Sequence, residues 1–186
     1  MSKGWLIVIS GPSGVGKTTV ARRLCRRPGF VKLVTATTRP PRPGEVNEKD
    51  YRFWTREQFE DGIRKGELLE YATIFGNLYG TPKRVVQESL ERGLRVIMDV
   101  DSQGARSIRA TGLNAFFVFI APPNLEELRR RLEKRNTENS EILRRRLEGA
   151  EAEMAHSTAY DAVITNRTVD QTVEEIETAL RHRNIL

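Results

Sequence analysis

Residues 11–18 read GPSGVGKT and fit the phosphate-loop pattern G-x-x-x-x-G-K-[ST]. Its glycines let the backbone curl so that N–H groups face a polyphosphate. Lys17 can reach the outer phosphates, and the Thr18 hydroxyl can ligate Mg²⁺. Gly11, Pro12, Ser13, Gly14, Val15, Gly16, Lys17 and Thr18 are therefore the expected nucleotide-binding segment. The flanks agree with this: residues 5–9 form an apolar run suited to a buried parallel strand, and residues 18–26 continue as a helix whose N-terminal dipole faces the phosphates.

A second group of chemistry-bearing residues follows. It comprises TATTRPPRPGE at 35–45, Asp50-Tyr51, Glu70, GNLYGT at 76–81 and DVDSQG at 99–104. Arg39 and Arg42 lie three apart in a segment stiffened by prolines, which lets two guanidinium groups converge on one phosphate at little ordering cost. Taken alone, residues 40–43 also fit an exposed polyproline turn or a PxxP ligand. Asp99 and Asp101 end an apolar strand, so both carboxylates are expected at the C-terminal sheet edge where ligands of open α/β folds collect. Strand alternation sends them to the same face. Asp99 is suited to hold water ligands of Mg²⁺ and Asp101 to reach a base, while Ser102 is the more natural cap of the helix that follows. Residues 129–146 carry eight basic side chains against three acidic ones, which by default is a solvated helix face.

Joined in order and spacing, TTRPPRPGE, KDY, LLEY, GNLYGT and DVDSQG resemble the guanylate kinase family over essentially the whole chain. The resemblance implies ATP as donor on residues 11–18 and GMP, with dGMP as well, as acceptor. Arg39 and Arg42 would hold the acceptor phosphate with the hydroxyls of Tyr51 and Tyr79. Glu70 would read the base, because guanine offers N1–H and 2-amino donors where adenine has a bare N1 lone pair. Loss of such a paired contact costs on the order of 10²-fold in selectivity. Thr35 and Thr81 would complete the pocket, and Asp101 would take the remaining amino proton. The resemblance also singles out Arg135 and Arg146 as lid cations on the transferring phosphoryl group, leaving the other arginines of 129–146 to solvent. Lys17, Arg39, Arg135 and Arg146 are thus the expected catalytic residues, with Thr18 and, through water, Asp99 at the metal. Asn136 stands where relatives commonly have Gly. Residues 165–167 read TNR where relatives often read VND, which leaves Asn166 as the adenine contact. The rival of another class is a guanylate-kinase-like module that binds phosphopeptides without catalysis; the intact phosphate loop argues against it.

The elements that must carry these residues follow from periodicity. Apolar runs at 5–10, 95–101, 115–121 and 162–165 alternate with helix-like stretches at 18–26, 83–92, 103–110, 124–135, 140–157 and 169–183. This is an α/β pattern: a P-loop NTPase three-layer sandwich around a central parallel sheet. Short β-like pieces at 32–38, 51–54 and 68–75, with one helix opening on the capping box Thr55-Arg56-Glu57-Gln58, make an inserted mixed α/β subdomain. The expected division is a core of 1–31, 82–124 and 157–186, a GMP-binding insertion at 32–81 and a helical lid at 125–156. Polar residues 133–141 read as a loop within that lid.

At 186 residues the chain supports one domain with insertions. Cys25 alone allows no internal disulfide, and with only His156 and His182 besides there is no soft donor set for zinc, so oxygen-held Mg²⁺ is the expected metal. The first residues read neither as a signal peptide nor as a membrane span, which points to the cytoplasm and away from membranes. A net charge of +6 suits an anionic ligand, and without aromatic-basic interleaving it does not indicate a nucleic-acid partner.

Overall fold

The computed structural model describes residues 4–74, 76–133 and 140–186. The first half of the chain forms β1 (Trp5–Ser10), α1 (Lys17–Leu24), β2 (Phe30–Lys32), β3 (Ala36–Thr37), β4 (Arg52–Phe53), α2 (Arg56–Arg64), β5 (Leu68–Ile74) and β6 (Asn77–Pro82). The second half adds α3 (Lys83–Glu91), β7 (Arg95–Asp99), α4 (Ser102–Arg109), β8 (Ala115–Ala121), α5 (Leu125–Glu133), α6 (Ser140–Ala155), β9 (Ala162–Thr165) and α7 (Val169–His182).

Five strands pair in parallel in the order β2-β7-β1-β8-β9. Because β1 is central, its side chains are buried on both faces, and Leu6, Ile7, Val8 and Ile9 are all fully enclosed. Alternation divides them between two cores. Ile7 and Ile9 pack with Val20 and Leu24 of α1 and Val173, Ile176 and Leu180 of α7. Leu6 and Val8 pack with Val86 and Leu90 of α3 and Ala105 and Ile108 of α4. The result is the expected three-layer sandwich.

A second sheet, in the order β4-β3-β6-β5, is mixed: β3 and β4 run parallel, whereas β6 is antiparallel to both β3 and β5. It has a small core of its own in Ala36, Phe59, Leu68 and Leu78. The capping box of α2 is present, with Thr55 Oγ1 accepting from Gln58 N at 3.2 Å and Gln58 Oε1 accepting from Thr55 N at 2.8 Å. Leu128 and Leu132 of α5 meet Ala150 of α6 in a separate cluster. Among the described residues no helix is long and apolar enough to cross a membrane.

Two expectations change. The strand expected over 32–38 is divided: β2 joins the edge of the parallel sheet and β3 joins the second sheet, because Phe30 is drawn into the main core and Ala36 into the small one. β6 has no counterpart among the expected elements. Its Gly80 and Pro82 read as turn residues, yet the strand forms because neighbours pair on both edges. A Cβ at Gly80 would come within 2.9 Å of both Glu70 O and the Phe59 ring, so close packing selects glycine there. Arg135, Asn136 and most of the expected lid loop lie outside the described residues.

Candidate active site

The loop after β1 is shaped by contacts that exclude side chains. Gly11 has φ +136°, and a Cβ on it would sit 2.2 Å from Ile120 O; Gly16, with φ +104°, caps α1, and its Cβ would lie 2.7 Å from Asn166 Nδ2. Lys17 Nζ folds back to donate to the carbonyls of Gly11 and, at 3.0 Å, Pro12. The pairing of Ile9 with Asp99 sets the end of β7 beside the loop. Thr18 Oγ1 then donates to Asp99 Oδ2 at 2.7 Å, and Lys32 Nζ pairs with Asp99 Oδ1 at 2.8 Å. Arg146 reaches the loop from α6, its Nη1 donating to Ser13 Oγ at 3.3 Å.

Across the cleft the antiparallel pairing of β5 and β6 puts Glu70 opposite Thr81, and Thr81 Oγ1 donates to Glu70 Oε1 at 2.8 Å. Burial pushes the Glu70 carboxyl above its usual range; the Thr81 bond opposes that shift and the Asp101 charge adds to it. At the other end of this sheet Tyr51 and Tyr79 meet edge to face at 6.1 Å, and the Arg39 guanidinium lies 5.5 Å from the Tyr51 ring centre. Arg39 Nη2 donates to both carboxylate oxygens of Glu45, at 2.8 and 2.9 Å. This pair raises the Arg39 pKa and lowers that of Glu45, whose largest stabilising contact is the Arg42 backbone N–H at 2.7 Å. The Arg42 side chain is exposed, and its backbone N–H joins the Arg39 side chain at Glu45.

Lys17, Thr18, Glu70, Tyr79, Asp99 and Asp101 all line one cleft of about 510 Å³, with Thr35 and Tyr51 on its wall. That volume suits a small-molecule site. The residues expected to meet a donor phosphate and those expected to read a base thus line a single cavity. A family model for guanylate kinase matches residues 3–183. The chain belongs to the guanylate kinase family. It is 47% identical over 182 residues to the guanylate kinase of Rubrobacter xylanophilus, covering 97% of this chain and 95% of that protein. It is 44% identical over 180 residues to that of Clostridium tetani, covering 97% and 86%. The crystal structure of guanylate kinase from Anaplasma phagocytophilum superposes with a TM-score of 0.77 at 36% identity, covering all of this chain and 88% of that one.

Within this guanylate kinase fold two sequence-derived placements, Asp101 and Arg131, are corrected, and Asn166 proves to be bonded within the protein. β7 ends at Asp99, so strand alternation does not govern Asp101; instead Asp101, not Ser102, caps α4, with Oδ1 accepting from Gly104 N at 2.7 Å. A carboxylate two residues beyond the strand reaches the N3 amide better than Ser102, which is already in the first helical turn. Asn166, expected at adenine, is 4% exposed and engaged at both ends of its amide: Nδ2 donates to Val15 O at 2.7 Å, and Oδ1 accepts from Thr172 Oγ1 at 3.0 Å. It braces the phosphate loop. Arg131, expected in solvent, instead donates from Nη1 to Val15 O at 3.3 Å and from Nη2 to Asn166 O at 3.1 Å, beside a smaller pocket formed with Gly14, Gly16, Asn166 and Arg167.

Lys32, Glu45 and Glu153 also line the main cleft and carried no sequence signal strong enough to single them out. Glu45 was visible only as the last residue of the arginine-proline motif. Lys32 and Glu153 belong to ordinary strand and helix patterns whose ends happen to face the cavity.

Proposed function

We infer that the chain transfers the γ-phosphoryl group of Mg·ATP to GMP, and to dGMP, giving ADP and GDP or dGDP. The observation that carries this reading is the Glu70–Thr81 pair opening into the same cavity as Lys17 and Thr18. An ionised Glu70 accepts the N1–H and 2-amino donors of guanine and faces the adenine N1 lone pair with like polarity, so GMP is the acceptor. The acceptor phosphate lies toward Tyr51, Tyr79 and Arg39. Arg39, whose guanidinium is held by Glu45 and the Pro40 carbonyl, carries the phosphate by exchanging those contacts, and Arg42 adds a second cation from its exposed position. Thr35 and Asp101 complete the pocket around the base.

In-line attack forms a bond between an acceptor phosphate oxygen and the γ-phosphorus as the bond to the β,γ-bridging oxygen breaks, so ADP leaves. No general base is required, because the attacking oxygen is already anionic near neutral pH. Lys17, Arg39 and Arg146, with Arg135 from the lid, offset repulsion between the two anionic substrates. Residues 125–156 act as the lid that excludes water, 32–81 as the acceptor subdomain and the remainder as the core.

Thr18 and Asp99 fit Mg²⁺. Both present hard oxygens at the sheet edge, 2.7 Å apart, matching the preference of that ion for oxygen ligands. The Thr18 hydroxyl would bind it directly and Asp99 through water, and the ion would supply charge neutralisation on the donor phosphates. The other partners are soluble nucleotides alone, with no nucleic acid or membrane. The reaction belongs to purine nucleotide metabolism in the cytoplasm.

The test is ADP formation from Mg·ATP with GMP, AMP, CMP or UMP as acceptor. Preference for GMP by about 10²-fold or more is expected. Equal rates with AMP would overturn the role of Glu70, and absence of turnover with every acceptor would favour a binding module.

A further inference from the structure

One acidic side chain in the main cleft has no part in the reading above. Glu153 projects from α6 into the cavity that holds Lys17, Glu70 and Asp101, and its Oε2 is buried yet accepts no hydrogen bond among the described residues. Seven residues earlier on the same helix stands Arg146, whose guanidinium touches Ser13. Seven residues are close to two helical turns, so both side chains leave the same face of α6. That face presents a cation to the phosphate loop and an anion to the acceptor cleft. The charged groups around Glu153 are Lys17, Asp101 and Arg106; burial raises its carboxyl above the usual range, Lys17 and Arg106 oppose that, and Asp101 adds to it.

A carboxylate oxygen shut away from water without a donor is costly, and such a group beside a binding cleft calls for an explanation. A donor that arrives with the substrate supplies one. Phosphate oxygens offer no proton and would repel an anion. The guanine donors face Glu70 at the base end of the cleft. The groups of a nucleoside monophosphate that remain are the ribose hydroxyls, which lie between base and phosphate. Glu153 lines the same cleft and feels the charges of both Asp101, assigned above to the base pocket, and Lys17, assigned to the donor phosphates.

We propose that the Glu153 carboxylate accepts a hydrogen bond from the 2′-hydroxyl of the acceptor ribose and so sets preference for GMP over dGMP. The assignment rests on the acceptor reading above and extends it to the sugar. It also gives α6 a direct contact with the acceptor, so that the helix carrying Arg146 is drawn toward the cleft when a ribonucleotide is bound.

The experiment compares kcat/KM for GMP and dGMP in the unmodified chain, Glu153→Ala and Glu153→Gln. The unmodified chain is expected to favour GMP over dGMP by about tenfold, the worth of one hydrogen bond to a charged group. Glu153→Ala should lower kcat/KM for GMP by about tenfold and change that for dGMP less than about twofold. Glu153→Gln keeps an acceptor oxygen and should fall between. Calorimetric titration of GMP and dGMP into protein without ATP should show the same loss for GMP alone. Equal losses for the two acceptors would mark a structural role, or a contact to the 3′-hydroxyl that both sugars carry, and overturn the proposal, as would no change in either. A chain that phosphorylates GMP but shows an unaltered GMP/dGMP ratio removes the Glu153 assignment alone, whereas a chain that never phosphorylates GMP removes the acceptor reading beneath it.

Discussion

The two sides of the cleft are built in different ways. The donor side is mostly one uninterrupted run of chain, in which β1 delivers the loop, Gly16 turns it and α1 begins at Lys17; Asp99 with Lys32, Arg146 of α6 and the bracing residues Asn166 and Arg131 come to it from elsewhere. The acceptor side collects Arg39 and Glu45 from an irregular loop, Tyr51 from the edge of β4, Glu70 from β5, Tyr79 and Thr81 from β6, and Asp101 from the cap of α4. A contiguous site is held by local backbone geometry on a fully buried strand. A dispersed one depends on register in a short sheet with a core of four buried residues. The donor side should therefore fail through single chemical groups, and the acceptor side through pairings.

The largest effect should come from the donor side. Lys17→Ala removes the cation carried by the phosphate loop itself, and kcat at saturating GMP should fall by about 10³-fold. Steady-state ADP formation checks this, and a loss confined to KM for ATP would mean that Lys17 contributes ground-state binding only.

On the acceptor side Glu70→Gln should cost about 10² in kcat/KM for GMP and leave KM for ATP unchanged. Because burial raises the Glu70 pKa, the carboxylate proposed to read guanine is lost as pH falls through that raised value. KM for GMP should accordingly climb on acidification at a higher pH than an ordinary glutamate would give, with no parallel change for ATP. The climb should vanish in Glu70→Gln. A pH profile of KM for each substrate decides the matter, and a shared profile would separate Glu70 from the base.

The smallest effect should be on stability, where the donor side leans on Asn166, which makes the shorter of the two side-chain bonds to Val15 O. Asn166→Ala removes the 2.7 Å bond to Val15 O, leaving the longer one from Arg131, and the contact with Thr172 Oγ1, which keeps its bond to Thr168 O; together this should cost about 1 kcal/mol and lower the melting temperature by about 2–4 °C. Calorimetric melting tests it. An unchanged melting temperature would mean that the loop holds its shape without help from β9.

Legibility followed the same division. The phosphate loop, its strand and its helix could be read from residues 5–26, since glycine spacing and apolar periodicity are local properties. The capping box of α2 was equally local. β6 could not be read, because Gly80 and Pro82 look like a turn until β3 and β5 flank them. Nor could Arg131, one of eight cations in a charged stretch, which packs on the loop only because α5 runs beside it. Asn166 drew attention as a motif residue, but its partners lie 151 and six residues away, and only the fold shows that both ends of its amide are engaged.

The sequence by itself determined the α/β sandwich and the phosphate loop, since residue type and order carry those statements, and its resemblance to the guanylate kinase family grouped Glu70, Tyr79 and Thr81, which line one cleft. Tertiary structure alone decided that Glu45 holds Arg39, that Asp101 rather than Ser102 caps α4, that Lys32 shares Asp99 with Thr18, and that Glu153 turns an unpartnered oxygen into the cleft. The reason is physical: hydrogen bonds and ion pairs depend on distances of about 3 Å between atoms far apart in the chain, and strand register and helix packing fix those distances.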